Sequence, residues 1–182
     1  MTHTTKNAAA AGSGAYSITI TALFTALTCI ATIIIQIPSP TNGYVNLGDC
    51  FVLLSAFILG PFLGAAAAGT GSMLADIFSG YTYYAPGTFI IKALMAVCAY
   101  YIFRLVLRIV KTHSVIAAVS AAVTAEIIMI TGYLIFASVF PGSGFAAAAG
   151  IPGNLVQAVF ALIVTPLLYS LISRNRYIRF YY

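Results

Sequence analysis

Acidic residues are almost missing from this chain: Asp49, Asp76 and Glu126 are the three carboxylates in 182 residues, and all charged residues together make up 6%. A soluble domain carries about 25% charged residues, so a water-facing surface cannot be covered here. Histidine is nearly as scarce, with His3 in a polar tail and His113 in a basic loop. Neither can serve as a base or a metal ligand inside an apolar bundle. The three cysteines, Cys29, Cys50 and Cys98, are odd in number, lie in or beside apolar runs, and show neither zinc nor disulfide spacing. They read as small packing residues, and no metal site is expected. No Gly-rich turn follows a strand to cradle phosphate, and the chain is too short and apolar to add a nucleotide-binding domain. Catalysis and bound cofactors are therefore not expected.

What fills the chain is hydrocarbon. With 62% hydrophobic residues and a mean hydropathy of +1.03, it reads as an all-α integral membrane protein. The formal charge of +5 does not point to nucleic acid, because the basic residues flank apolar runs as they do at cytoplasmic ends of membrane helices. Six transmembrane helices in one compact bundle are expected. A flexible cytoplasmic tail is read over 1–15, the membrane domain over 16–173, and a basic cytoplasmic tail over 174–182. No short apolar stretch with a small-residue cleavage site precedes the first long run, so that helix is expected to stay in the mature protein.

The first helix, read from Tyr16 to Ile37, ends at Pro38-Ser39-Pro40. Ala22 and Ala26 share one of its faces, a small-residue surface suited either to internal packing or to docking of another subunit. A loop over 41–48 leads to Asp49, expected as an N-cap, and to a short run that stops at Gly60-Pro61. The third helix, Phe62 to Ser79, opens with Leu63-Gly64-Ala65-Ala66-Ala67-Ala68-Gly69, too small a surface for anything but close packing among helices. The fourth is read from Gly87 to Leu107, the fifth from Val115 to Val139 and the sixth from Pro152 to Ser173. Six of the eight basic residues lie at or just after the end of the fourth helix or in the C-terminal tail, and Lys6 adds a seventh. Both termini are then cytoplasmic, and the loops holding Asn46, Tyr81–Pro86 and Pro141–Gly150 face outside.

Charges near hydrocarbon cost about 3 kcal/mol each on insertion scales and must be compensated. Lys92 and Glu126 are read either as an ion pair joining the fourth and fifth helices or as ligand contacts. The tyrosine-rich loop over 80–87 fits either an interfacial belt or a stacking lid over a flat ligand. Asn154 and Gln157 lie on one face at the outer end of the sixth helix. Together these place a candidate pocket beneath the outer loops. Asn46, Tyr83, Tyr84, Phe89, Lys92, Glu126, Asn154 and Gln157 are its expected residues, with aromatic faces and polar edges for a small, flat molecule.

The blocks NLGD, LGPFLGAAAAG, LADIFSGY, APGTFIIK and IPGNLVQ are carried within a chain that, from the first helix on, resembles the substrate-binding S components of energy-coupling factor (ECF) vitamin transporters. The likeness is greatest to the branch for hydroxymethylpyrimidine, pyridoxine and related small rings. The resemblance implies a multi-pass cell-membrane protein that captures a vitamin or precursor from outside. It also implies a transmembrane coupling subunit and two cytoplasmic ATPase subunits as partners, with Ala22 and Ala26 on the docking face. Another vitamin such as riboflavin would need a wider pocket, which residue counts do not exclude. A stand-alone small-solute transporter is the other alternative, but neither a continuous polar path nor an inverted repeat is visible.

Overall fold

The computed structural model describes residues 3–39, 44–110, 114–140 and 144–173, with backbone alone for 3–13 and 114. Helix α1 covers His3–Ile34, followed by a two-residue pair of antiparallel strands, β1 Ile37–Pro38 and β2 Tyr44–Val45. Helices α2 Asp49–Phe78, α3 Ala85–Val110 and α4 Ser114–Val139 come next. A 3-10 segment, Gly144–Gly150, then leads into α5 Ile151–Ser173. Five segments are long and apolar enough to cross a membrane: Gly14–Ile34, Asp49–Phe78, Ala85–Val110, Val115–Val139 and Gly144–Ser173. Helices are what such runs must form, because in hydrocarbon each backbone amide needs a partner within its own segment.

The expected second and third helices are the two arms of α2. Gly60 lies inside it at φ 83° and ψ −175°, a conformation open to glycine and costly for any residue with a Cβ, and Pro61 follows without an amide proton. The Ser55 hydroxyl donates to the Gly64 carbonyl at 3.1 Å. In a straight helix those two residues would be about 13 Å apart along the axis. The chain therefore turns back sharply at Gly60, and the arms 49–59 and 61–78 pack on each other. The small first half of the second arm makes this close approach feasible.

Helix α2 is the centre of the bundle. Of its most apolar window 72% is buried, against 39% or less in the other four spans. Helix α1 packs on its second arm, where a Cβ built on Gly71 would fall 2.6 Å from the backbone oxygen of Thr25. Helix α4 turns a face of Ala117, Ala118, Ala121, Ala122 and Ala125 inward, all fully buried. Small faces let helices approach where no hydrophobic drive separates protein from lipid. Beneath the candidate site, Phe57 of α2 stacks on Phe103 of α3 with centroids 4.3 Å apart, and both meet Tyr169 of α5 edge-on.

Other sequence expectations differ at the edges. Helix α1 is assigned from His3, where a tail to residue 15 is expected. The run Ala8–Ala11 is strongly helix-forming, though the apolar span begins at Gly14. It ends at Ile34, before the strand pair, which the loop reading did not foresee. The N-cap of α2 is Gly48, not Asp49, whose carboxylate is engaged elsewhere. The tail 174–182, Lys111, His113 and residues 141–143 lie outside the described residues.

The close contact at Gly71 gives a test. Gly71→Val forces α1 off the backbone of α2 and is expected to cost about 1–3 kcal/mol. Thermal unfolding in detergent should show a lower midpoint, whereas Gly14→Ala, with nothing within 4 Å of its Cβ, should leave the midpoint unchanged.

Candidate functional site

The site is built upward from a buried charge. Asp49, fully buried at the first turn of α2, pairs through Oδ1 with the Lys92 ammonium of α3 and accepts through Oδ2 from the Gln157 amide of α5. The positive end of the α2 dipole also favours a carboxylate here. Gln157 is held in turn, because its Oε1 accepts the Asn46 backbone N–H at 2.9 Å. Asn46 Oδ1 accepts the Gly48 N–H at 2.9 Å, closing the loop that starts α2. The Lys92 ammonium lies 5.5 Å from the centroid of the Tyr133 ring, a cation-π contact. Tyr133 donates its hydroxyl proton to Thr88 at 3.1 Å.

Above this knot a pocket opens at the end of the bundle, with about 600 Å³ of atom-free space when its open mouth is counted. Tyr44, Tyr81, Tyr84 and Tyr133 supply aromatic wall. Asn46, Asp76, Thr88, Asn154 and Gln157 supply polar edges, and Leu134, Ala137 and Ile151 supply apolar surface. Tyr44 and Tyr81 lie with centroids 4.8 Å apart, and the Tyr44 hydroxyl donates to Asp76 Oδ1 at 2.5 Å. Burial, and then the Asp76 carboxylate, push the Tyr44 phenol above its ordinary pKa. It stays a hydrogen-bond donor at neutral pH.

Of the residues expected from sequence, Asn46, Tyr84, Asn154 and Gln157 line this pocket. Lys92 lies beneath it, held by Asp49. Of the two readings of Lys92 and Glu126, the ion pair between them is corrected: Asp49, brought opposite Lys92 by the start of α2, takes the ammonium. Glu126 is buried, and neither of its carboxylate oxygens has a hydrogen-bond partner among the described residues. It is near enough to Lys92 and Asp49 for electrostatic interaction but is not part of the pocket wall. Tyr83 is 55% exposed and packs edge-on against Tyr84, outside the pocket. Phe89 lies on a shallow apolar groove with Met73 and Ile77. Ala22 and Ala26 are exposed on α1, in a groove completed by Leu63, Leu74 and Phe78.

Sequence reasoning missed Tyr44, Asp76, Thr88 and Tyr133 as wall residues, and it included Tyr81 only within the loop read as either a belt or a lid. A helical signal was available for two of them: Thr88 is four residues from Lys92, and Tyr133 seven from Glu126, so each shares a face with a residue already singled out. Among the described residues no cluster of three or more His, Cys, Asp or Glu could hold a metal ion.

The arrangement is that of a multi-pass membrane protein with a polar, aromatic pocket sunk into one end of the bundle. The chain belongs to the family of ECF-type riboflavin transporter S components, whose sequence model matches residues 14–174. Members are transporter components and not enzymes, and a place in the cell membrane fits the apolar spans. An uncharacterized protein of Pyrococcus woesei is 33% identical over 136 residues, which cover 74% of this chain and 86% of that one. Among solved structures, one described as the S component of a bacterial ECF transporter superposes with a TM-score of 0.70 at 22% identity. The superposition covers 88% of this chain and 97% of that one, a likeness of fold. The ECF S-component resemblance read from the blocks is thereby shown, while the family carries the name of riboflavin and not of the smaller rings.

The knot predicts a specific asymmetry. Lys92→Met leaves the Asp49 carboxylate buried without its cation and is expected to destabilise the protein by about 3–5 kcal/mol. Adding Asp49→Asn removes the charge while keeping an acceptor for Gln157, and the thermal midpoint should recover most of the loss.

Proposed function

We propose that the chain is the substrate-capture subunit of an ECF-type ATP-driven importer and binds a flat, polar-edged vitamin in the pocket above Asp49 and Gln157. One observation carries this reading: the pocket joins tyrosine faces to amide edges at the end of the bundle opposite Arg104 and Arg108 in the last turns of α3. Counting the arms of α2 separately gives six membrane segments. The positions of the basic residues in the sequence then favour termini in the cytoplasm and the pocket outside. Family membership favours a riboflavin-type ligand. A second reading, pyridoxine or hydroxymethylpyrimidine, is supported by the tightness of the pocket, where the space open to the centre of a water molecule is about 40 Å³. Either ligand must part side chains to enter, and the larger one must part more of them.

Mass spectrometry of small molecules retained on the purified protein tests the reading. A riboflavin-type compound, also visible by flavin fluorescence, is the expected result. Pyridoxine or hydroxymethylpyrimidine would select the second reading, and a lipid alone, with no binding of any of these added compounds, would overturn capture. Asn154→Ala should weaken binding of the retained compound about fivefold to tenfold, the loss of one hydrogen bond, without moving the thermal midpoint.

For partners, the reading takes the transmembrane coupling subunit and two ATPase subunits that such importers use. Docking falls on α1, where Ala22 and Ala26 leave a groove open between that helix and the second arm of α2. Ala22→Trp with Ala26→Trp should abolish uptake in cells while ligand affinity of the isolated protein stays within about twofold. Normal uptake, or lost affinity, would place docking elsewhere.

A further inference from the structure

Asp76 has no place in the capture reading so far, yet among the described residues it is the one carboxylate in the pocket wall. It is 4% exposed at the end of α2, with Oδ1 taken by the Tyr44 hydroxyl. Its second oxygen is buried and has no hydrogen-bond partner among the described residues, although Thr88 is close enough to interact with the carboxylate. A buried carboxylate oxygen without a donor is costly, and here it belongs to a side chain that lines a pocket a ligand can fill.

Among the described residues no cation lines this wall. Lys6, Arg104, Arg108, Lys111, Arg174, Arg176 and Arg179 are remote in sequence from every wall segment, and the connections over 35–48, 79–84 and 140–150 contain no Lys, Arg or His. Lys92 alone comes near, and its ammonium is committed to Asp49 below the floor. Among the described residues the wall contains no basic side chain. An anionic ligand would meet a carboxylate with no cation to offset it, while a neutral ligand carrying an N–H or O–H would satisfy the vacant oxygen.

From this juxtaposition we infer that Asp76 is the specificity-determining residue of the pocket, accepting a hydrogen bond from an N–H or O–H of a neutral or cationic ring compound and rejecting phosphorylated forms of it. Tyr44 is the positioning residue, since its hydroxyl occupies Oδ1 and leaves Oδ2 as the oxygen available to a ligand. Two donors then share one carboxylate, one from the protein and one from the ligand. The protein would take up the free vitamin and leave its phosphate esters outside, so the reaction that consumes the imported product is a phosphorylation or another activation inside the cell. The inference rests on the capture reading.

Calorimetric titration of the full-length protein in detergent with riboflavin, riboflavin 5′-phosphate, pyridoxine and pyridoxine phosphate separates the two. Within whichever pair binds, the free alcohol should bind at least about a hundredfold tighter than its ester, the scale on which like charges oppose one another away from bulk water. Asp76→Asn should weaken the alcohol about tenfold and narrow the gap to the ester at least tenfold, with Tyr44→Phe giving a smaller change in the same direction. An ester that binds wild-type protein as tightly as its alcohol overturns the role of Asp76 while leaving vitamin capture standing, and this comparison needs no variant to fold. Unchanged affinities in a folded Asp76→Asn protein overturn it as well. Binding of none of the four compounds, nor of hydroxymethylpyrimidine added in the same way, overturns the capture reading, and the inference with it.

Discussion

The compensation of one buried charge organises the protein. Asp49 and Lys92 sit within an almost wholly apolar bundle, where an isolated ion would cost several kcal/mol even after relaxation. Pairing alone rarely repays that cost unless the remaining lone pairs are also met. Here the second Asp49 oxygen is met by Gln157, whose own oxygen is met by the Asn46 amide, and the Lys92 ammonium also faces the Tyr133 ring. Helices α2, α3 and α5, with the loop before α2, are thus fixed in one register by polar contacts. Apolar packing among small residues would not fix that register by itself, because alanine faces slide on one another at little cost.

The break at Gly60 gives the knot its depth. Measured from that turn, Asp49 lies about 16 Å along the first arm and Asp76 about 24 Å along the second, at a rise of 1.5 Å per residue. Since the arms fold back on each other, the first arm starts deeper in the bundle than the second arm ends. That difference in length is the pocket. Its floor is where α2 begins, its rim is where α2 finishes, and the strand pair brings Tyr44 across to Asp76. A Gly60 replaced by a residue with a Cβ would strain the turn on which both levels depend.

Much of this was legible in the sequence, and the rest was hidden for identifiable reasons. Long apolar runs, the Gly60-Pro61 stop and the bounds of α4 could be read because in hydrocarbon the helix is close to the sole option. Asn154 and Gln157 were legible as polar residues sharing a face at one helix end. The partner of Lys92 was not. Asp49 stands 43 residues away behind a loop, and nothing in spacing distinguishes it from Glu126, which is closer to the usual picture of helix facing helix. Tyr83 and Phe89 were misplaced because an aromatic cluster shows neither which rings turn inward nor which turn to lipid. Asp76 could be seen as a charge that needed compensation, but its partner Tyr44 lies on a strand of two residues, too short to leave a pattern.

The same contacts bear on why the proposed reading makes capture and release separate acts. Below the pocket the knot closes the floor, and beneath it come fully buried Met95 and the packed rings of Phe57, Phe103 and Tyr169. A polar solute at the floor meets, further in, an ion pair and then hydrocarbon. Opening a passage there would part Asp49 from Lys92 and leave two charges in an apolar interior, a penalty larger than one hydrogen-bonded ligand supplies. The bundle is consequently well suited to hold a molecule at its mouth and poorly suited to pass it through its own middle. That is the physical ground on which the proposed reading gives the energy-driven step to other subunits, and on which α1, with its exposed alanine groove away from the knot, is the helix free to meet them.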